Sequence, residues 1–368
     1  MRLFVTAFIA AALLASAPVR AQVISPSDEA LAELDRFIES HLEKNVIPGA
    51  LVAVASGGEL LHIKAYGMAN VELAVPVSAD SVFEIGSISK QFVAAAALML
   101  AEEGRLDLDA GIHEYLPYLP GEWLGVTMRQ LLNHTSGIPD YEEIRTYDVY
   151  RYRLTPEDVI RIAQSRPVDF APGEGWYYSN TGYFLASMIV ERIEGLPIGQ
   201  VLEKRIFGPL QMTSTRFADP EAIIPNRVAG YWVNRVDELI NRNPTETSST
   251  LAAGGLLSSA ADLASWDAAL YGDELLSAGS KRMMWASAVL PSGEDTEYAL
   301  GWRVTPYRGM RSQSHSGQVA GFVAHFARYP EHDVAFIVFM NRYRVPLRPV
   351  AEALWHTFIP SLGPIPGN

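Results

Sequence analysis

Ser87-Ile88-Ser89-Lys90 places a hydroxyl and an amine three positions apart. Residues with that spacing share a face of a helix, so Lys90 can reach the Ser87 hydroxyl. A serine is a weak nucleophile until a neighbour removes its proton, and a neutral lysine amine can do so. Residues 91–103 are mostly apolar and Gly104 supplies a stop, which predicts a buried helix opening near Ser87. A helix N-terminus disfavours a cation and lowers the pKa of a lysine placed there. The spacing by itself is not rare. The chain has 27 serines and five lysines, and random placement gives about 0.4 such pairs. Ser87 as a simple helix cap is the competing reading, and partner motifs decide between the two.

Two further segments supply them. Tyr178-Ser179-Asn180 follows a turn-rich run and precedes a helical pattern, where Asn180 alone would read as a cap. His315-Ser316-Gly317 ends a short strand pattern and is followed by Gln318; the small Gly317 lets a bound molecule approach the strand backbone. In this order the three segments resemble the Ser-x-x-Lys, Ser-x-Asn-type and Lys-Thr-Gly set of the serine β-lactamases and penicillin-binding proteins. The Tyr-x-Asn form is similar to the branch of class C β-lactamases, D-alanyl-D-alanine peptidases, D-aminopeptidases and related carboxylesterases. Residues 83–86, 131–137, 253–256 and 298–302 share the resemblance, which runs from about Leu31 to Phe358.

The resemblance implies acyl transfer through a covalent Ser87 ester on a small-molecule or short-peptide acyl substrate. It gives Lys90 and Tyr178 as candidate bases, each expected to hold the other in its useful state, with Tyr178 activating water in deacylation. It implies an oxyanion hole from the backbone N–H groups of Ser87 and Gln318. Asn180 is expected to hold the acyl side, and His315, with Ser316 and Gly317 beside it, to face the leaving group. His315 stands where class C β-lactamases have lysine. A neutral imidazole offers one hydrogen bond in place of a full charge, so the expectation turns from antibiotic hydrolysis toward an esterase or D-alanyl-D-alanine peptidase-like enzyme. A true class C-type β-lactamase and a slowly deacylating penicillin-binding sensor are the alternatives. His134 reads as structural. Tyr141, Trp176, Tyr231 and Trp232 are candidate cleft aromatics.

Composition narrows the setting. The formal charge of −13 disfavours a nucleic-acid partner. The absence of cysteine removes disulfides, thiol nucleophiles and thiolate metal sites. The eight histidines show no metal-ligand spacing, and neither metal nor cofactor is expected. Arg2, the 12-residue apolar run 3–14 and the small residues up to Ala21 fit a cleavable signal peptide rather than a membrane span. A periplasmic or secreted protein is therefore expected.

The elements that must position the motifs are read from periodicity. Helical patterns cover 28–44, 127–134, 155–164, 180–194, 198–206 and 350–358; strand patterns cover 49–56, 60–66, 298–305, 311–315, 321–329 and 334–340. Strands at both ends and helices between them predict an α+β fold: one antiparallel sheet flanked by terminal helices, with a mainly helical insertion. The resemblance implies the same β-lactamase/transpeptidase-like arrangement. The expected division is a sheet domain of 22–105 and 250–360, a helical domain of 106–249 and a tail of 361–368, with Ser87 near the seam.

Overall fold

Gly49–Ser56 is apolar and small throughout, and all but its last residue are buried. It forms the middle of a six-stranded antiparallel sheet. The order across the sheet is Val75–Pro76, Glu59–Asn70, Gly49–Ser56, Val334–Met340, Phe322–Tyr329 and Gln313–Val319. Val52 is registered with Lys64 on one side and with Val338 on the other, so strands from the two ends of the chain meet at the centre. The computed structural model describes residues 25–243 and 245–365; the predicted signal peptide and residues 366–368 lie outside the described residues.

Strand alternation gives the sheet two apolar faces. Ala50, Val52, Val54, Phe336 and Val338 pack against Leu34 and Ile38 of the helix Asp28–Lys44 and Val350 and Leu354 of Arg348–Phe358. Leu51, Ala53, Phe326, Ile337 and Phe339 face the other way, into a larger core with Phe92 and Trp266. The helix Ser89–Glu102 crosses that core with its residues buried on nearly every side. Its one buried amide side chain is satisfied at the oxygen, where Gln91 accepts the Trp266 indole N–H at 3.0 Å. The α+β expectation, with terminal helices on one face and helices on the other, holds.

Several boundaries differ from expectation, each for a local reason. Ser87 does not open the helix but sits in a 3-10 turn, Gly86–Ile88, and the helix starts at Ser89. Gly86 has φ +52°, a conformation suited to glycine, and a Cβ there would lie 2.6 Å from the Gln318 nitrogen. Residues 298–305 make only isolated bridges, Tyr298 with Arg303 and Arg303 with Ser314. The segment turns back at Gly301, where φ is +80° and a Cβ would meet the Lys90 carbonyl at 2.9 Å. The helix pattern at 198–206 is α-helical over Ile198–Leu202 and widens into a π-turn, Glu203–Phe207. No helix of the described residues is long and apolar enough to cross a membrane.

Candidate active site

Phe83–Glu84 leads into the turn that bears Ser87 by pairing with Leu256–Ser258, and Ile85 N–H continues the pairing onto the Leu256 carbonyl. Buried Glu84 is held at 2.6 Å by Arg242, whose other guanidinium nitrogen donates to the Ala320 carbonyl in the turn after Gln313–Val319. These contacts tie the segment before Ser87 to the strand that carries the third motif. Gly317 is required for their approach, because a Cβ there would fall 1.8 Å from the Ile85 carbonyl oxygen. Asn180 begins the helix Asn180–Glu194, and Ser179 caps it through the Gly182 N–H. The three motifs thus converge on one cleft of about 830 Å³, lined by Ser87, Tyr178, Asn180, His315, Ser316 and Gln318 among others.

Lys90 is fully buried, and its Nζ has three partners: Ser87 Oγ at 3.0 Å, Asn180 Oδ1 at 2.7 Å and the Ala253 carbonyl at 2.6 Å. Burial pushes its pKa down to about 7, against the opposing pull of Glu142 and Asp140. The rings of Tyr178 and Tyr183 lie 4.9 and 5.3 Å from Nζ. Two of the three partners can only accept a hydrogen bond. A neutral amine, with two N–H groups and one lone pair, satisfies Asn180 and Ala253 with its protons and turns the lone pair to the one partner that can donate, the Ser87 hydroxyl.

Asp140 fixes the orientation that this requires. Its Oδ2 accepts Asn180 Nδ2 at 3.0 Å and the Asn180 backbone N–H at 3.3 Å, so the amide oxygen of Asn180 faces Lys90. Burial raises Asp140 to about 6, and burial with the Asp140 charge raises Glu142 as well. Both carboxyl groups line the cleft, as do Glu143 on the same side and Arg303 and Arg344.

Tyr178 shares a hydrogen bond with Ser87, but its phenol is held well above the ordinary value, first by burial and then by Tyr298. The expectation that a nearby cation would lower that phenol is not met: burial and Tyr298 hold it up, and Tyr178 remains protonated at neutral pH. His315 also differs from expectation. Its Nε2 pairs with the Tyr298 hydroxyl at 2.8 Å and its Nδ1 with the Ser316 carbonyl at 2.7 Å. Nδ1 carries the proton, since only a donor satisfies that carbonyl. Burial, then the Lys90 charge, pushes His315 down to about 3. The ring is neutral, and both of its nitrogens are engaged within the protein rather than offered to a leaving group. Ser316 Oγ is paired with His325 Nδ1 at 2.9 Å across the neighbouring strand.

A cation that the neutral His315 does not supply stands nearby in the cleft. Arg303 is exposed, lines the cleft and lies over the rings of Trp176 and Tyr298 at 5.8 and 5.7 Å, with no carboxylate of the described residues within ion-pair distance. Among the candidate aromatics, Trp176 lines the cleft. Tyr141 is buried, bonding the Ser249 carbonyl, and Tyr231 and Trp232 belong to a small hairpin, Tyr231–Val233 with Leu239–Asn241. Asp140 and Arg303 were missed; their only sequence signal was adjacency to the stretches 131–137 and 298–302.

The sequence and the overall fold have counterparts among known proteins. The chain is 32% identical over 327 residues to penicillin-binding protein 4* of Bacillus subtilis, covering 84% of this chain and 71% of that protein. Further curated relatives, the Staphylococcus aureus proteins named flp, are spanned over 64% of their length. An octameric penicillin-binding protein homologue from Pyrococcus abyssi superposes with a TM-score of 0.80 at 28% identity, covering 91% of this chain and 78% of that one. The D-amino acid amidase of Ochrobactrum anthropi, in complex with D-phenylalanine, does so with a TM-score of 0.75 at 26% identity, covering 88% and 98%. Residues 34–356 match the Beta-lactamase family, which takes in all three motifs. With that match over most of its length, and with a curated relative of 32% identity beside it, the chain belongs to the Beta-lactamase family of serine hydrolases.

Proposed function

We propose that the chain hydrolyses short amides, peptides or esters through a covalent Ser87 acyl-enzyme, with Lys90 as the base of acylation. The observation that carries this reading is the set of partners around Lys90 Nζ, two acceptors and one hydroxyl, which leaves the neutral amine a single direction for its lone pair. Ser87 Oγ gives its proton to Lys90 and bonds to the substrate carbonyl carbon. The bond to the leaving group then breaks, and the protonated Tyr178 phenol beside Ser87 is placed to pass a proton to the departing atom. Backbone N–H groups of Ser87 and Gln318, brought together by Gly86 and Gly317, receive the oxyanion. Water then gives a proton to the phenolate left on Tyr178 and attacks the ester carbon, and Ser87 Oγ departs with the proton held by Lys90, which releases the acid and restores both groups.

The preferred substrate carries a carboxylate on its leaving side, met by Arg303, as in a peptide ending in a D-amino acid. The likeness to a D-amino acid amidase and to a penicillin-binding protein supports D-configured acyl groups. The apolar run 3–14 and the small residues before Ala21 support export to the periplasm or the medium. A panel of p-nitrophenyl esters, D-alanyl-D-alanine peptides, D-amino acid amides and nitrocefin against wild type and Ser87→Ala tests the reading. Turnover with a transient Ser87 adduct by intact mass is expected, with nitrocefin the slowest and Ser87→Ala inert throughout. Retained turnover in Ser87→Ala removes the central step, and a permanent adduct without product turns the reading to a sensor.

A further inference from the structure

His134 has a backbone φ of +65°, which is sterically disfavoured for any residue with a Cβ. In that conformation it grips the segment around Tyr178 at three points. Its carbonyl accepts the Tyr177 N–H at 3.0 Å, its Nδ1 accepts the Ser179 N–H at 3.1 Å, and its ring lies against the Tyr178 ring with centroids 4.2 Å apart. The residues on both sides of Tyr178 are therefore tied to one residue of another loop. Because Nδ1 accepts a backbone N–H, the ring proton is on Nε2, and that atom has no hydrogen-bond partner among the described residues. The rings of Tyr183, Tyr298 and Trp176 surround it. Burial and the Lys90 charge hold the ring neutral. The loop's own fold does not need this ring: Asn133 Oδ1 closes the turn by accepting the Thr135 N–H and hydroxyl.

We propose that His134 is a positioning residue for Tyr178, its Nδ1 and carbonyl fixing the backbone on either side so that the phenol stays against Ser87. This rests on the reading that Ser87 is acylated and that Tyr178 delivers a proton. A merely space-filling histidine needs volume; a clamp needs an acceptor at the Nδ1 position and tolerance of positive φ. Asparagine meets both demands, since its Oδ1 occupies the place of Nδ1 and it enters the left-handed region readily. Glutamine is closer in volume but carries its oxygen near the Nε2 position.

The experiment compares His134→Asn, His134→Gln and His134→Ala with wild type and Ser87→Ala, following p-nitrophenyl acetate turnover and the Ser87 adduct by intact mass. We expect Gln and Ala to lower kcat about tenfold or more with KM within about threefold, and Asn to recover to within about threefold of wild type. Gln equal to or better than Asn, Asn no better than Ala, or all three within about twofold of wild type overturns the clamp. If Ala fails to fold, the order of Asn and Gln carries the decision alone. Absence of an adduct in wild type instead defeats the acyl-enzyme reading, while a wild-type adduct lost in Ser87→Ala leaves that reading intact whatever the His134 series shows.

Discussion

Replacing Asp140 by asparagine should move the pH dependence of acylation. Two hydrogen bonds, 2.7 Å from Lys90 to Asn180 and 3.0 Å from Asn180 to Asp140, bracket a single amide group. The carboxylate therefore lies within about 8 Å of the ammonium. At an effective dielectric of about 20 this charge pair is worth about 2 kcal/mol, or about 1.5 pH units; at the bulk value of about 80 it is worth about 0.5 kcal/mol, or about 0.4 unit. An anion favours the ammonium form and so raises the lysine pKa, in opposition to burial. Removing it lowers that pKa, makes the amine neutral at lower pH, and shifts the acid limb of acylation downward from its position near neutrality. The other groups facing Lys90 are Glu142, the Tyr178 and Tyr183 rings and the neutral His134 and His315. Asparagine keeps an oxygen for the Asn180 N–H groups, so the effect is chiefly one of charge. The assay is the rate of p-nitrophenol release in the acylation phase between about pH 5 and pH 9. A downward shift of between about 0.4 and 1.5 units is expected; a limb that stays in place or moves up refutes Lys90 as the base that Asp140 tunes.

Arg303→Gln should raise KM about tenfold more for a D-alanyl-D-alanine peptide with a free carboxylate than for its amidated form, since a hydrogen bond to a charged group is worth about 1.5–3 kcal/mol. Equal effects on both would remove the carboxylate from the reading. Gly317→Ala forces a methyl to within 1.8 Å of the Ile85 carbonyl and must push the strand off the nucleophile turn. Loss of adduct formation and a melting temperature lower by several degrees should follow, as about 1–3 kcal/mol of overpacking implies. Wild-type melting with wild-type labelling would show that the two segments do not need their close approach.

Ser87, Lys90, Tyr178 and Asn180 were legible because their chemistry is written in local spacing and their order along the chain is a signature. The helices 28–44 and 180–194 were also legible, since a cap and an apolar period mark each. Asp140 was not, because its importance lies in a bond to Asn180, 40 positions away, that no periodicity announces. The state of His315 was equally hidden. Its type suggested a donor to a ligand, but Tyr298 and the Ser316 carbonyl occupy both ring nitrogens. The segment 298–305 shows β-like composition, and the turn at Gly301 against the Lys90 carbonyl overrides it. The helix Ala260–Ala269 has little amphipathic contrast and Ala278–Met284 spans only two turns, so the sequence pattern passed over them.

The pairing of Gly49–Ser56 with Val334–Met340 has a temporal side. One neighbour of the central strand is made within a few residues of it, and the other only some 280 residues later. Until that later part emerges, the sheet lacks half of its middle. The turn bearing Ser87 likewise lacks Leu256 behind it and Gly317 in front. Contacts of such long separation close slowly, because the intervening chain must be ordered before they are gained. A chain still being made, or one cut short before residue 313, therefore carries Ser87 and Lys90 without the strand that comes up against their turn. On the proposed reading, the acyl-transfer site is complete only once the whole sheet has closed.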